Sequence, residues 1–247
     1  SKFSARNVEL GENAVKKLTT ELGSKQKSKI AFHQLEITDE NSVKKLAEYL
    51  KKTHGGLDVL INNAGFLYPS ESTVDPVTKA EVTNNINYYG TKLVSKHLIP
   101  LIREGGRVVN VCSQGGVMNT KTREPNYEEF MSQLTDQAEI EVYKGMYEKF
   151  MKDKSVQNGN PVESGFPTEA YRVSKAAEIA LSLLHHRMYG NKIKINACCP
   201  GYVNTDMTQG RGHLTIEQGA DTPSYLATDP NAPSGQFVYL RKIIDWH

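Results

Sequence analysis

Residues 57–65, Leu57-Asp58-Val59-Leu60-Ile61-Asn62-Asn63-Ala64-Gly65, decide the fold class. Leu57–Ile61 is a short run without alternation, as expected of a strand covered on both faces, and it breaks into small and polar residues. Upstream, Thr38-Asp39-Glu40 supplies capping and first-turn chemistry for a helix carrying Val43, Leu46, Ala47 and Leu50, which Lys51-Lys52 and Gly55-Gly56 close. Before that, Lys29–Ile37 reads as a β-run, and Glu12–Leu22 places Ala14, Val15, Leu18 and Leu22 on a helical stripe. Downstream come a long periodic helix from about Thr78 to Arg103, a strand over Gly106–Ser113, a helix over Thr168–Met188 and a strand over Lys192–Cys199. Strands alternating with helices specify an α/β fold with a doubly wound, Rossmann-like parallel sheet, whose ligands sit outside the carboxyl ends of the strands.

The length of 247 residues and 38% hydrophobic content suit a single domain with one sizeable core. With 30 basic and 28 acidic residues the net charge is +2, so no excess field argues for nucleic acid or a membrane surface, and small-molecule chemistry is the better expectation. No apolar run reaches the length of a membrane span, and the first residues lack signal-peptide character. Cys112, Cys198 and Cys199 lie in apolar, strand-like runs, which suits buried thiols in a reducing compartment better than disulfides or a metal site. A cytoplasmic protein without metal is expected.

The polar clusters fall where strands end: Asn62–Gly65, Ser113, and Pro200-Gly201-Tyr202-Val203-Asn204-Thr205. In the helix TEAYRVSKAAEIALSLLHHRM (168–188), Tyr171 and Lys175 stand four residues apart, so they share a face. An ammonium beside a phenol stabilises the phenolate and brings an acid of ordinary pKa ~10 toward neutrality. Tyr88 and Lys92 have the same spacing, so the pair alone is a weak signal, and its weight comes from the loops around it.

These motifs together resemble the short-chain dehydrogenase/reductase family, and within it the carbonyl reductase branch. The resemblance rests on Asn62-Asn63-Ala64-Gly65, Asn87 in INYYGT, Ser113 in VVNVCS, Tyr171-Arg-Val-Ser-Lys175 and NACCPGYVNTDM (196–207), and it covers nearly the whole chain. It implies that Tyr171 protonates a substrate carbonyl as a nicotinamide donates hydride. Lys175 would bind the nicotinamide ribose and lower the Tyr171 pKa, Ser113 would polarise the same carbonyl, and Asn87 would position a water leading to Lys175. The implied cofactor contacts are Asn63, Ala64 and Gly65, with Pro200, Gly201, Val203 and Thr205 folding over the nicotinamide, and Glu36 with Ile37 near the adenine. Arg6 stands where a guanidinium would pair with a 2′-phosphate, so NADPH is expected over NADH. Tyr202 would line the substrate pocket.

Two departures from the family pattern stand out. Residues 114–167 are a long insertion in which Phe130, Met131, Leu134, Ile140, Tyr143, Tyr147 and Phe150 fall at helical spacing. A helical hairpin is expected there, covering the face on which related enzymes associate and leaving a monomer. The other departure is that this sequence has no opening strand and Gly-rich turn, the unit that cradles a pyrophosphate. That strand is central in the order 3-2-1-4-5-6, so its loss should divide the sheet between strands 2 and 4, and the expectation is that residues of the protein precede those given. The leading functional expectation is therefore NADPH-dependent reduction of aldehydes, ketones or quinones. A truncated form acting as a binding scaffold is the alternative, while an epimerase or dehydratase is disfavoured because few residues follow Asp206.

Overall fold

The computed structural model describes residues 1–117 and 169–246. A strand β1 (Lys2–Ala5) leads into helix α1 (Val8–Leu22), capped by Asn7, whose Oδ1 accepts from the Leu10 N–H at 2.9 Å. Strand β2 (Ala31–Gln34) precedes α2 (Glu40–His54), which Asp39 caps and Gly55 ends in the left-handed conformation, φ 68°. Strand β3 (Leu57–Asn62) is followed by α3 (Pro76–Asn84), a π-helical turn over Asn85–Gly90, and α4 (Thr91–Leu98). Strand β4 (Ile102–Val111), helix α5 (Ala170–Tyr189), β5 (Lys194–Cys199), α6 (Ile216–Thr228), β6 (Phe237–Tyr239) and β7 (Lys242–Ile243) complete the described elements.

Hydrogen bonding forms two sheets, a parallel pair β1-β2 and a five-stranded sheet in the order β3-β4-β5-β6-β7, parallel except for the β6-β7 hairpin. Among the described residues β1 and β3 thus each stand at a sheet edge, so the expected division of the sheet falls between the β1-β2 pair and β3. In β4 successive residues face opposite layers. Val108 packs with Val43, Leu46, Leu50, Val94 and Leu98 beneath α2 and α4, whereas Val109 and Val111 pack with Leu226 and Ala227 of α6.

Three sequence expectations are corrected. β3 is not covered on both faces, since Leu60 and Asn62 are buried but Val59 and Ile61 are 39% and 46% exposed. The apolar stripe of α1 is also open at Leu18 and Leu22, and its buried contact is Gly11, where an added Cβ would collide with the Phe32 ring at 2.1 Å. The helix expected to reach Arg103 ends at Leu98, because Ile102 and the residues after it pair with β3 and Arg103 reaches across to Asp58 at 2.8 Å. The expected insertion hairpin over 114–167 and the monomeric state argued from it fall largely on 118–168, outside the described residues. Among the described residues no helix is long and apolar enough to cross a membrane.

Candidate active site

The loops that follow β3, β4 and β5 lie at the carboxyl edge of the five-stranded sheet, and α5 runs back from that edge with Tyr171 and Lys175 in its first two turns. What holds α5 in phase is a ladder of polar residues at four-residue spacing on two parallel helices. Asn87, Thr91 and Ser95 on the π-turn and α4 lie opposite Ser174, Glu178 and Ser182 on α5. Asn87 Nδ2 donates to Ser174 Oγ at 2.9 Å and Thr91 Oγ1 to Glu178 Oε1 at 3.2 Å. Asn62 Nδ2 donates both to Ser95 Oγ at 3.2 Å and to Asn110 Oδ1 at 2.8 Å, while Asn110 Nδ2 donates to Ser182 Oγ at 2.8 Å. All of these groups are buried, so each bond also avoids the cost of an unpaired polar atom, about 1–3 kcal/mol.

Ser113, Tyr171, Lys175, Asn87 and Gly65 come together. Gly116 makes this possible, because the turn after Ser113 lies so close to α5 that a Cβ there would stand 2.5 Å from Ala176 N. Ser113 Oγ accepts from Gly115 N–H at 3.0 Å, and the turn it begins lies against Tyr171, where a Cβ on Gly115 would stand 3.8 Å from Tyr171 Cε1. Lys175 Nζ lies 5.7 Å from the centre of the Tyr171 ring, donates to the Val111 carbonyl at 3.2 Å, and is 2.5 Å from Glu178 Oε2. Burial pushes the Tyr171 phenol above its usual value, and Lys175 and Ser113 offset this only in part. Burial would lower the Lys175 ammonium, but the Glu178 carboxylate, joined by the Tyr171 and Cys112 side chains, holds it above the ordinary lysine value. Asn87 has its side chain engaged by protein, since Oδ1 accepts from Phe66 N–H at 2.7 Å and Nδ2 also donates to the Phe66 carbonyl at 2.9 Å. It thereby fixes the loop after Gly65 against α5.

Arg6 and Glu36 form a second group, at the ends of β1 and β2. The Arg6 side chain is 80% exposed, with Nε 3.9 Å from Glu36 Oε2, and Glu36 Oε1 accepts from the Thr38 N–H and hydroxyl. Ile37 packs on Gly90, where a Cβ would stand 2.7 Å from its Cδ1. Asn63 and Ala64 are exposed beyond β3. In the loop after β5, Pro200 leads into Gly201, which has φ 84° and which a side chain could enter only with strain; Val203 bridges to Leu214; and Thr205 caps a short helical turn with Thr208. Tyr202 is 45% exposed, its ring 6.0 Å from that of His213. The Tyr88–Lys92 pair with the same spacing is different in kind: Tyr88 is 3% exposed, in the core, and burial drives its phenol far up. The three thiols are free and buried, and burial raises each.

Glu178, Ser174, Ser182 and Asn110 were not anticipated. For the three on α5 a signal was present, since polar residues at 174, 178 and 182 recur every four positions among its apolar ones, as they do at 87, 91 and 95. A periodic polar stripe inside an apolar face marks a buried hydrogen-bonded seam.

The chain matches the short chain dehydrogenase family model over residues 3–128. It is 38% identical to human "Carbonyl reductase [NADPH] 1" over 99% of this chain and 88% of that protein, and 39% identical to the mouse protein of the same name over the same shares. Among solved structures, salutaridine reductase from Papaver somniferum superposes with a TM-score of 0.77 at 28% identity, covering 95% of this chain and 89% of that one. Menthone neomenthol reductase from Mentha piperita gives 0.74 at 27% identity, covering 96% and 88%. With the Ser113, Tyr171 and Lys175 constellation placed at the sheet edge, these similarities establish that the chain belongs to the short-chain dehydrogenase family.

Proposed function

We propose that this protein reduces the carbonyl group of small aldehydes, ketones or quinones with NADPH, Tyr171 acting as general acid. The observation that carries the reading is the convergence of Ser113, Tyr171 and Lys175, with the Ser113 turn packed against the Tyr171 ring and Lys175 Nζ 5.7 Å from the centre of that ring. The naming of the 38–39% identical relatives as NADPH carbonyl reductases supports the choice of substrate and cofactor.

The donor set fits the two ends of such a cofactor. Lys175 has three ammonium protons, one directed to Val111 and one to Glu178, which leaves a third for a ribose hydroxyl. The exposed Arg6 guanidinium can pair with a 2′-phosphate. Bound NADPH supplies the hydride. Ser113 and Tyr171 then flank the carbonyl oxygen, the hydroxyl polarises it, and the phenol gives up its proton as negative charge develops there. The Lys175 ammonium stabilises the phenolate left behind, and Asn87 keeps the Gly65–Phe66 backbone from closing on the site.

The test is the loss of NADPH absorbance with a panel of quinones, diketones and aromatic aldehydes, for the parent and for Tyr171→Phe. Removing the acid while keeping the ring should slow turnover by ~10²–10⁴-fold with NADPH binding little changed. Activity of Tyr171→Phe within a few-fold of the parent would refute the assignment.

A second reading, a binding scaffold without turnover, rests on one observation: among the described residues the strands form two sheets, with β1 and β3 each at an edge. Isothermal titration separates the two readings, since micromolar binding of NADPH by this chain contradicts the scaffold.

A further inference from the structure

Glu178 is the carboxylate that the chemistry of a tyrosine and a lysine does not call for. It is fully buried on α5, one turn beyond Lys175, and its Oε2 has no partner among the described residues other than the Lys175 ammonium at 2.5 Å. Its Oε1 is fixed from α4 by the Thr91 hydroxyl at 3.2 Å, and its backbone carbonyl accepts from Ser182 Oγ at 2.7 Å. The carboxylate is therefore held between α4 and α5, with the Lys175 ammonium as the cation in contact with it. The titratable groups that face the pair from other strands are the Cys112 thiol of β4 and the Cys198 and Cys199 thiols of β5, all kept neutral by burial. From α4 the facing group is the uncharged Thr91 hydroxyl.

In such a site the phenol of Tyr171 feels the nearer Lys175 ammonium, weakened by the Glu178 carboxylate behind it. An isolated ammonium at this distance would favour the phenolate more strongly, whereas the ion pair leaves burial the larger influence, and burial favours the phenol. The phenol is the form that can protonate a carbonyl; the phenolate is the form that can take a proton from an alcohol. We propose that Glu178 is a positioning residue that weakens the pull of the Lys175 ammonium on the phenol and so keeps Tyr171 a proton donor, biasing the site toward carbonyl reduction over alcohol oxidation. The proposal rests on the roles given to Tyr171 and Lys175 above. The raised phenol accords with it, because burial is its leading cause and Glu178 opposes the lowering effect of Lys175.

The experiment is a titration of the full chain labelled with tyrosine carrying carbon-13 at Cζ, followed by NMR, with Tyr171→Phe identifying the resonance. In Glu178→Gln, which keeps the shape and the hydrogen-bond acceptor but removes the charge, the Tyr171 midpoint should fall by about one pH unit. Glu178→Asp withdraws the carboxylate by one methylene while keeping a buried ion pair, and should lower the midpoint by a smaller amount. An unmoved or raised midpoint, in whichever of these variants is folded by circular dichroism, overturns the proposal. The kinetic counterpart is the ratio of alcohol oxidation to carbonyl reduction near pH 8, which should rise in Glu178→Gln; an unchanged ratio in an active enzyme also overturns it. A parent inert toward NADPH and carbonyls would remove the reductase reading while the NMR result still decides the role of Glu178, so the two ideas fail separately.

Discussion

Replacing Lys175 by Met leaves Glu178 without its counter-charge in a fully buried position, and the cost can be worked out in two ways. Breaking a buried ion pair by removing one partner costs about 3–5 kcal/mol, because the remaining charge is uncompensated. Alternatively, Glu178 escapes by taking up a proton. A fully buried glutamate titrates as high as ~8–9 against ~4.3 when unfolded, so holding it neutral at pH 8 costs nearly four pH units at ~1.4 kcal/mol each, about 5 kcal/mol. The two routes agree in size, and the second fixes the sign of the pH dependence. In Lys175→Met the folded-state pKa of Glu178 lies above its unfolded value, so its stability is intact below the unfolded pKa and is lost as pH rises through the folded one. Thermal unfolding followed by circular dichroism at pH 5 and pH 8 reads this directly. At ~2–4 °C per kcal/mol for a chain of this size, the variant should melt roughly 6–20 °C below the parent at pH 8 and much closer to it at pH 5. Lys175→Met/Glu178→Gln should recover most of the loss at pH 8. A deficit of equal size at both pH values, or no recovery in the double variant, would show that Glu178 is not ionised beside Lys175 and refute the reasoning.

Arg6→Asp exchanges a phosphate-pairing cation for a hydroxyl acceptor, so cofactor preference, compared as kcat/KM for NADPH and NADH, should move toward NADH; an unaltered ratio would place the 2′-phosphate elsewhere. Gly116→Ala puts a Cβ 2.5 Å from the Ala176 backbone nitrogen, and pushing the turn off α5 should cost about 1–3 kcal/mol in urea unfolding and lower kcat through displacement of Ser113; a variant as stable as the parent would show that the turn can yield. His185 is 8% exposed and burial lowers its imidazole to about 4, so the folded state binds its proton less well than the unfolded chain, and stability should fall as pH drops from about 6.5 toward 4. His185→Gln should flatten that acid limb of the unfolding midpoint, and an unchanged limb would assign it to other groups.

The fold class and the main residues of the candidate site were legible in the sequence because their signals are local. The run at Leu57–Ile61, the apolar stripe at Val43, Leu46 and Leu50, and the caps at Asp39 and Gly55 are each set by a few neighbouring residues, and the loops after three strands inherit their place from that alternation. Helix α6 and strand β6 carried weaker signals, a Thr215–Gln218 capping box with Pro223 inside the helix and a strand of only three residues. The rest was decided by which elements meet. Val59 and Ile61 are as apolar as Leu60, yet whether a face is dry depends on what packs over it, and that is not written in the strand itself. Likewise the boundary between α4 and β4 is set by pairing with β3, and not by the helical period that runs on toward Arg103. Most of all, Glu178 is one acid among 28 acidic residues in the sequence; it becomes the counter-ion of Lys175 only because α4 and α5 lie side by side in register, bringing Thr91 to one carboxylate oxygen and leaving the other to the ammonium. Charges interact through space, so their partners are fixed by helix phase and packing, which tertiary structure alone supplies.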